Sequence, residues 1–417
     1  MIIKAISRIK VRRDMLRHVI IVNDFGHVNG GAGKVALTTA AALGRRGYDV
    51  TLFCGVAPVN EEMLKGVKVV CLGQQDILND PKRLRAVRQG LWNGQAYRAF
   101  SELLGRYPVE ETIVHFHSWT KSLSSSLFRA TAEHGSKVVI TLHDFFTICP
   151  NGGLFNYQQL KICRIRPSSA KCLCCNCDVR SYPQKIWRSM RHLIQSYWLK
   201  KNRDITVCAI SQLNERMHRP NIKFAKQWFF LQNPIELNSK PLIEVGNNDT
   251  YLFMARLSKE KGCELFCRAL TELNLKGCVL GDGYLQEELK KKYPNIEFAG
   301  WTTGERKEKY LRRCKALVFP SLWYECAPLT IVEMKSYGLP CIVPDECAAA
   351  EQVEDGKTGL IFKTGDLESL KAAIMRYEKS DAAMYQKNIV AKFNPDDYSE
   401  ETYMKNLIGV YNKVIKD

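Results

Sequence analysis

Short, mostly apolar runs recur along this chain, and between them lie longer stretches in which apolar residues return every third or fourth position. That alternation predicts buried parallel strands joined by amphipathic helices. In the first half the runs are His18 to Asn23, Tyr48 to Cys54, Val67 to Leu72, Thr112 to Phe116, Lys137 to Leu142 and Ile205 to Ile210, the last expected to close that unit. Helical pattern fills Lys34 to Gly44, Pro81 to Tyr107 and Leu123 to His134. The second half repeats the order with Thr250 to Ala255, Cys278 to Leu280, Ile296 to Phe298, Ala316 to Phe319 and Cys341 to Val343. Gln232 to Pro234 and the polar stretch Asn238 to Asp249 follow neither period and read as a linker.

A chain of 417 residues exceeds one ordinary core, so two domains are expected. The layout predicted is a first α/β domain over 1–237, a second over 238–390, and a segment 391–417 whose helix packs back on the first. Within the first domain the pattern breaks between Cys149 and Cys177 into a loop-rich, cysteine-rich insert.

Hydrophobic residues at 46% and charged residues at 25% fit a soluble globular protein. The formal charge of +18 changes the picture, because it calls for an acidic partner: nucleic acid, anionic lipid or a phosphorylated substrate. No run approaches the roughly 18 apolar residues that span a bilayer, and Val19 to Val22 is too short for a signal-peptide core. A cytoplasmic location is therefore expected, with the 16 cysteines reduced and many of them small core residues. Basic Met1 to Arg17 reads as a tail before the first strand or a short interfacial helix. Arg180 to Arg203 interleaves Lys and Arg with Trp187, Tyr197 and Trp198, which suits an anionic membrane face; no nucleic-acid recognition motif accompanies it.

Candidate chemistry gathers where strands end. In open parallel sheets, ligands bind at the carboxyl ends of the strands. Glu325 lies in the loop after the run ending at Phe319, and Glu333 about a turn into a helix expected from Pro328 to Gly338; both carboxylates are acceptors suited to hydroxyl-rich ligands. Arg256 and Lys261 flank a helix start after Thr250 to Ala255, where fork, point charge and dipole together can hold a diphosphate. His115 and His117 end one strand and His143 with Asp144 the next. Gly26 to Gly33 is a glycine-rich turn into a helix, whose free N–H groups favour anions. Its NGGAGKV stretch is near a P-loop, but Val28 and Val35 stand where that motif needs Gly and Ser or Thr. In the insert, Cys149, Cys163, Cys172 and Cys175 have spacing suited to a structural metal, with reduced thiols or a redox pair as the other reading.

Together NGGAGKVALTTAAALGRRGYDVTLF, HFHSW, TLHDFF, CAIS, NPIE, MARLSKEKG, VLGDG, FAGW, PSLWYECAPLTIVEMKSYGLPCIVPD and DGKTGLIF resemble glycosyltransferase family 4, retaining enzymes of GT-B architecture. The resemblance implies two Rossmann-like, doubly wound parallel-sheet domains facing a central cleft. It implies transfer of a hexose-type sugar from a UDP- or GDP-sugar to an acceptor hydroxyl in cell-envelope polysaccharide assembly: lipopolysaccharide, O-antigen, capsule or exopolysaccharide. The acceptor would be lipid-linked or an oligosaccharide, at the inner face of the cytoplasmic membrane.

Carried over by residue, Arg256 and Lys261 would bind the diphosphate without a catalytic metal, and Glu333 the ribose. Glu325 would contact the donor sugar, with the loop around Pro328, Leu329 and Thr330 near sugar or phosphate. His117 would face the donor sugar across the cleft, Gly30 and Gly31 would line it, and Gly281, Asp282 and Gly283 would border the nucleotide. APLT, where many relatives have a glycine-rich loop, leaves the donor open, and the cysteine insert is not general to the family. Two alternatives remain on sequence: an ATPase built on Asn29 to Val35, and a non-catalytic protein of the same shell using its basic face on nucleic acid.

Overall fold

The computed structural model describes residues 16–237 and 241–416. The stretch Met1 to Met15, which holds most of the basic tail, lies outside the described residues. Nine strands belong to the first half: β1 His18–Phe25, β2 Asp49–Val56, β3 Lys68–Cys71, β4 Thr112–Phe116, β5 Lys137–Thr141, β6 Phe155–Asn156, β7 Lys161–Ile162, β8 Ile205–Ala209 and β9 Gln227–Phe230. Seven of them form a parallel sheet in the order β3-β2-β1-β4-β5-β8-β9, and β6 pairs antiparallel with β7 inside the insert. The second half contributes β10 Thr250–Met254, β11 Lys276–Leu280, β12 Ile296–Gly300, β13 Cys314–Val318, β14 Cys341–Pro344 and β15 Gly359–Phe362, a parallel sheet in the order β12-β11-β10-β13-β14-β15. Central strands such as β4, with every residue buried, are largely apolar because helices cover both faces.

Two features differ from the sequence reading. The helical stretch Pro81 to Tyr107 is two helices, Arg83–Leu91 and Gly94–Leu104, broken where Asn93 caps the second by accepting from the Ala96 N–H. Ile205 to Ile210 does not close the first sheet. β9 adds an edge strand whose four residues, QWFF, are only half covered, so it lacks the buried apolar signature.

The chain crosses between lobes twice. After the second sheet, the helix Glu400–Lys416 returns to the first lobe, where Tyr403, Met404, Leu407, Val410, Tyr411, Val414 and Ile415 join the core beside β1 and the helix Gly31–Arg45. Tyr403 Oη lies 2.8 Å from Thr39 Oγ1. Lys137 Nζ donates to the Val414 and Ile415 carbonyls at 2.9 and 3.0 Å, satisfying groups that a helix end leaves open.

Candidate functional site

In each sheet the direction of winding reverses between two neighbouring strands, β1 and β4 in the first, β10 and β13 in the second. A crevice opens at such a switch point, because the helices on either side leave in opposite directions. The loop after β10 carries Arg256 and Lys261, and the loop after β13 carries Glu325. The loop after β1 carries Gly30, and β4 is followed at once by His117.

Arg256 and Lys261 are held by acids. Arg256 Nη2 donates to Glu260 Oε1 at 2.9 Å, and Glu260, itself buried, also accepts from Ser258 Oγ at 2.7 Å. The Arg256 side chain remains 65% exposed, leaving most of its fork open to the crevice. Lys261 Nζ is ion-paired with Glu325 Oε1. The same oxygen accepts from Trp323 Nε1 at 2.8 Å and Ser321 Oγ at 3.1 Å. Burial pushes the Glu325 carboxyl up, but the Lys261 charge and the bonds from Lys261, Trp323 and Ser321 outweigh it, so its pKa lies below the usual carboxylate range.

A glycine lets these loops meet. Gly262 has φ +71°, and a Cβ there would run into the Pro320 carbonyl at the start of the Glu325 loop. Gly281, with φ +148°, and Gly283 are similarly pressed against the Ala255 and Leu257 carbonyls, and Leu257 N–H donates to the Asp282 carbonyl at 2.8 Å. The Gly281–Gly283 turn therefore packs directly behind Arg256.

Pro328 caps the helix Leu329–Ser336, which places Thr330 in its first turn and Glu333 further along. Glu333 is ion-paired with Lys307 from the helix Gly304–Leu311, a partner that sequence reasoning missed. Lys307 sits among Arg306 and Lys309 in a wholly polar stretch, so no local signal distinguishes it. Gly30, with φ +88°, caps the helix Gly31–Arg45. Gly31 and Leu329 line one cavity of about 640 Å³ between the lobes.

His117 faces a histidine network. Its Nδ1 lies 2.9 Å from His143 Nε2, while its buried Nε2 has no partner. Behind it, His115 Nδ1 is 2.7 Å from Tyr411 Oη and Nε2 is 2.7 Å from Thr141 Oγ1. Burial pushes all three imidazoles down, His115 to about 3 and His143 to about 4, so the rim is neutral at pH 7. Sequence reasoning also missed Asp24, which is fully buried and accepts from the N–H groups of Lys121, Ser122 and Leu123 at 2.8 to 3.1 Å, fixing the loop beyond His117.

The lobes touch beside the site. Tyr324 and Cys326 join the first-lobe core, with the Tyr324 ring 6.1 Å from Phe145. The cysteine insert closes one side of the crevice: Arg164 pairs with Glu346 at 2.5 Å, and Gly153 packs against Trp323.

The insert's cysteines do not make the anticipated metal set. Among the described residues, no three His, Cys, Asp or Glu side chains are grouped to hold a metal ion. Cys149, Cys163, Cys172 and Cys175 are free thiols, and polar side chains stand among them. Lys185 Nζ donates to Cys172 Sγ at 3.4 Å, Cys149 Sγ to Asn151 Oδ1 at 3.0 Å, and Asn156 Nδ2 to Cys175 Sγ at 3.7 Å.

Comparison with known proteins adds matches to two family models, two curated relatives and two solved structures. Residues 29–203 match the model of Glycosyltransferase Family 4, and residues 235–392 that of Glycosyl transferases group 1. A UDP-Gal:alpha-D-GlcNAc-diphosphoundecaprenol alpha-1,3-galactosyltransferase of Escherichia coli is 30% identical over 156 residues, 34% of this chain and 40% of that protein. The amylovoran biosynthesis glycosyltransferase AmsK of Erwinia amylovora is 24% identical over 147 residues, 31% of this chain and 36% of that one. The matched stretch thus spans well under half the length of these curated relatives. Among solved structures, Anabaena HepE in complex with UDP superposes with a TM-score of 0.66 at 16% identity, over 95% of this chain and 100% of that chain. Sucrose-phosphate synthase from Thermosynechococcus elongatus gives 0.67 at 16% identity, over 96% and 99%, a likeness of fold.

Proposed function

The chain belongs to the family 4 glycosyltransferases of GT-B architecture, and on that premise we propose that it moves a hexose-type sugar from a nucleoside diphosphate sugar to an acceptor hydroxyl in envelope polysaccharide assembly. The observation that carries the assignment is the meeting, at the second sheet's switch point, of Arg256 held by Glu260, Lys261 paired with Glu325, and the Gly281–Gly283 turn. Arg256 and Lys261 take the diphosphate, whose charge grows as the bond to the sugar's C1 breaks. Fixed cations in a crevice shielded from water stabilise that charge with little reorganisation. Glu333 accepts from the ribose hydroxyls, with Lys307 holding one oxygen. Glu325 contacts the sugar, and the free Nε2 of His117 offers a hydrogen bond to a sugar hydroxyl from the other lobe. The acceptor oxygen then bonds to C1 and its proton leaves with the diphosphate; family resemblance supports retention of configuration.

UDP-sugars are the favoured donors, because HepE was solved with UDP and with UDP-glucose, and the E. coli relative is named for UDP-Gal. The test is thermal stabilisation by a panel of UDP-, GDP- and ADP-sugars. A donor at 100 times its dissociation constant adds about 2.7 kcal/mol, and Arg256→Ala should lose most of that gain while remaining folded. Wild-type protein that no nucleoside diphosphate sugar stabilises would overturn the proposal.

A further inference from the structure

A second cavity, of about 320 Å³, opens on the first lobe between the helices Arg83–Leu91 and Tyr182–Lys201. Its walls are apolar, formed by Ile77, Leu78, Val87, Phe146 and Trp187, and its rim is cationic, formed by Lys121, Arg83, Arg180 and Arg191. Asp144 and buried Asp24 lie close enough to act on Arg191, and Asp144 on Lys121, without forming ion pairs with them. Arg188 pairs with buried Asp178 at 2.9 Å, but Lys121, Arg83, Arg180 and Arg191 make no ion pair among the described residues. Arg83 donates through Nη1 alone to the Ile77, Leu78 and Asp80 carbonyls at 3.2 Å. Arg191 stands over the rings of Trp187 and Phe146 at 5.2 and 5.9 Å. Neither bordering helix contains a carboxylate.

Two further observations fix what could lie there. Thr120 lines both this cavity and the small recess that holds His117 and His143, so the two are neighbours across one residue. Outward, Tyr182, Ile186, Met190, Leu193 and Tyr197 recur three or four residues apart on the helix Tyr182–Lys201, and all are at least 37% exposed. That spacing makes one continuous apolar stripe, next to exposed Leu84 and Val87 on the other helix. An apolar groove, a cationic rim and an apolar outer face match one ligand chemistry: a phosphate or diphosphate carried on a long hydrocarbon chain.

We propose that this cavity binds the lipid-phosphate end of a lipid-linked acceptor, with the arginines on the phosphate, the first hydrocarbon units against Val87 and Trp187, and the sugar end directed past Thr120 to His117. The proposal rests on the transferase reading for the acceptor's role, but its test does not depend on activity. Farnesyl diphosphate, inorganic diphosphate and farnesol would each be titrated calorimetrically into the full chain. Farnesyl diphosphate should bind more tightly than either half, and Val87→Glu and Arg180→Glu, both at exposed positions, should each weaken it about tenfold or more, as expected for losing a charge-assisted contact or an apolar wall. Inorganic diphosphate binding as well as farnesyl diphosphate, with Val87→Glu silent, would reduce the site to general anion attraction and overturn the proposal. So would Val87→Glu and Arg180→Glu losing binding to phosphatidylglycerol vesicles while keeping farnesyl diphosphate at wild-type affinity, since the patch would then be a membrane face only. UDP stabilisation, measured in parallel, should survive in Val87→Glu. Its absence in wild type would count against the transferase reading while leaving the titration result standing.

Discussion

All eight histidines of the chain precede residue 219, so the second lobe has none. Five in the first lobe are held neutral by burial: His117 well below its ordinary value, His115 at about 3, and His143, His192 and His218 each at about 4. A folded-state pKa below the unfolded value means the unfolded chain takes the proton first. Stability is therefore whole above about pH 6.5 and is lost as pH falls from there towards the folded values near 4. At pH 5.5 each histidine costs about 1.4 kcal/mol, and five together about 7 kcal/mol, comparable with the whole stability of many domains. Hydrogen exchange by mass spectrometry at pH 7.5 and 5.5, corrected for intrinsic rates, would separate the lobes. Protection of β4, β5 and β8 should fall by that order, while β10, β11 and β13 change far less. Equal loss in both lobes, or none in β4 and β5, would refute the reasoning.

Removing the hydroxyl in Tyr411→Phe orphans His115 Nδ1 in a fully buried site and should cost about 1 to 3 kcal/mol; an unchanged melting temperature would contradict the network. Gly262→Ala should both destabilise the chain and abolish stabilisation by UDP, because the φ of +71° and the Pro320 carbonyl resist a side chain. A variant that melts and binds UDP like wild type would show that Lys261 does not depend on that turn. Lys307→Met should change stability by under about 1 kcal/mol, since the pair is partly exposed, yet shrink the preference for UDP over 2′,3′-dideoxy-UDP; an unaltered preference in titration would separate Glu333 from the ribose.

The strands were legible because parallel strands covered on both faces are largely apolar. That rule put Arg256, Lys261, Glu325 and His117 just beyond strand ends, while the roles expected of them came from the family resemblance. Lys307 and Asp24 were missed. Lys307 is one cation among several on a polar helix, and only the approach of a second helix selects it. Asp24 reads as the last polar residue of a strand, and its value lies in three N–H groups nearly a hundred residues away. β9 escaped because an edge strand buries too little to show a pattern, and the break at Asn93 because a cap is one residue in a continuous amphipathic period. In the cysteine insert the free thiols agree with the reduced-thiol reading rather than the metal one; spacing alone could not show that Lys185, Asn151 and Asn156 stand among them.

The helix Glu400–Lys416 has a consequence for how the protein is made. The second lobe is contiguous, and every strand of its sheet leaves the ribosome within one uninterrupted stretch. The first lobe is begun at β1 but keeps an open apolar face on β1 and the helix Gly31–Arg45 until Tyr403 to Ile415 are made. The lobe synthesised first is thus completed last, with that face uncovered throughout translation of the second.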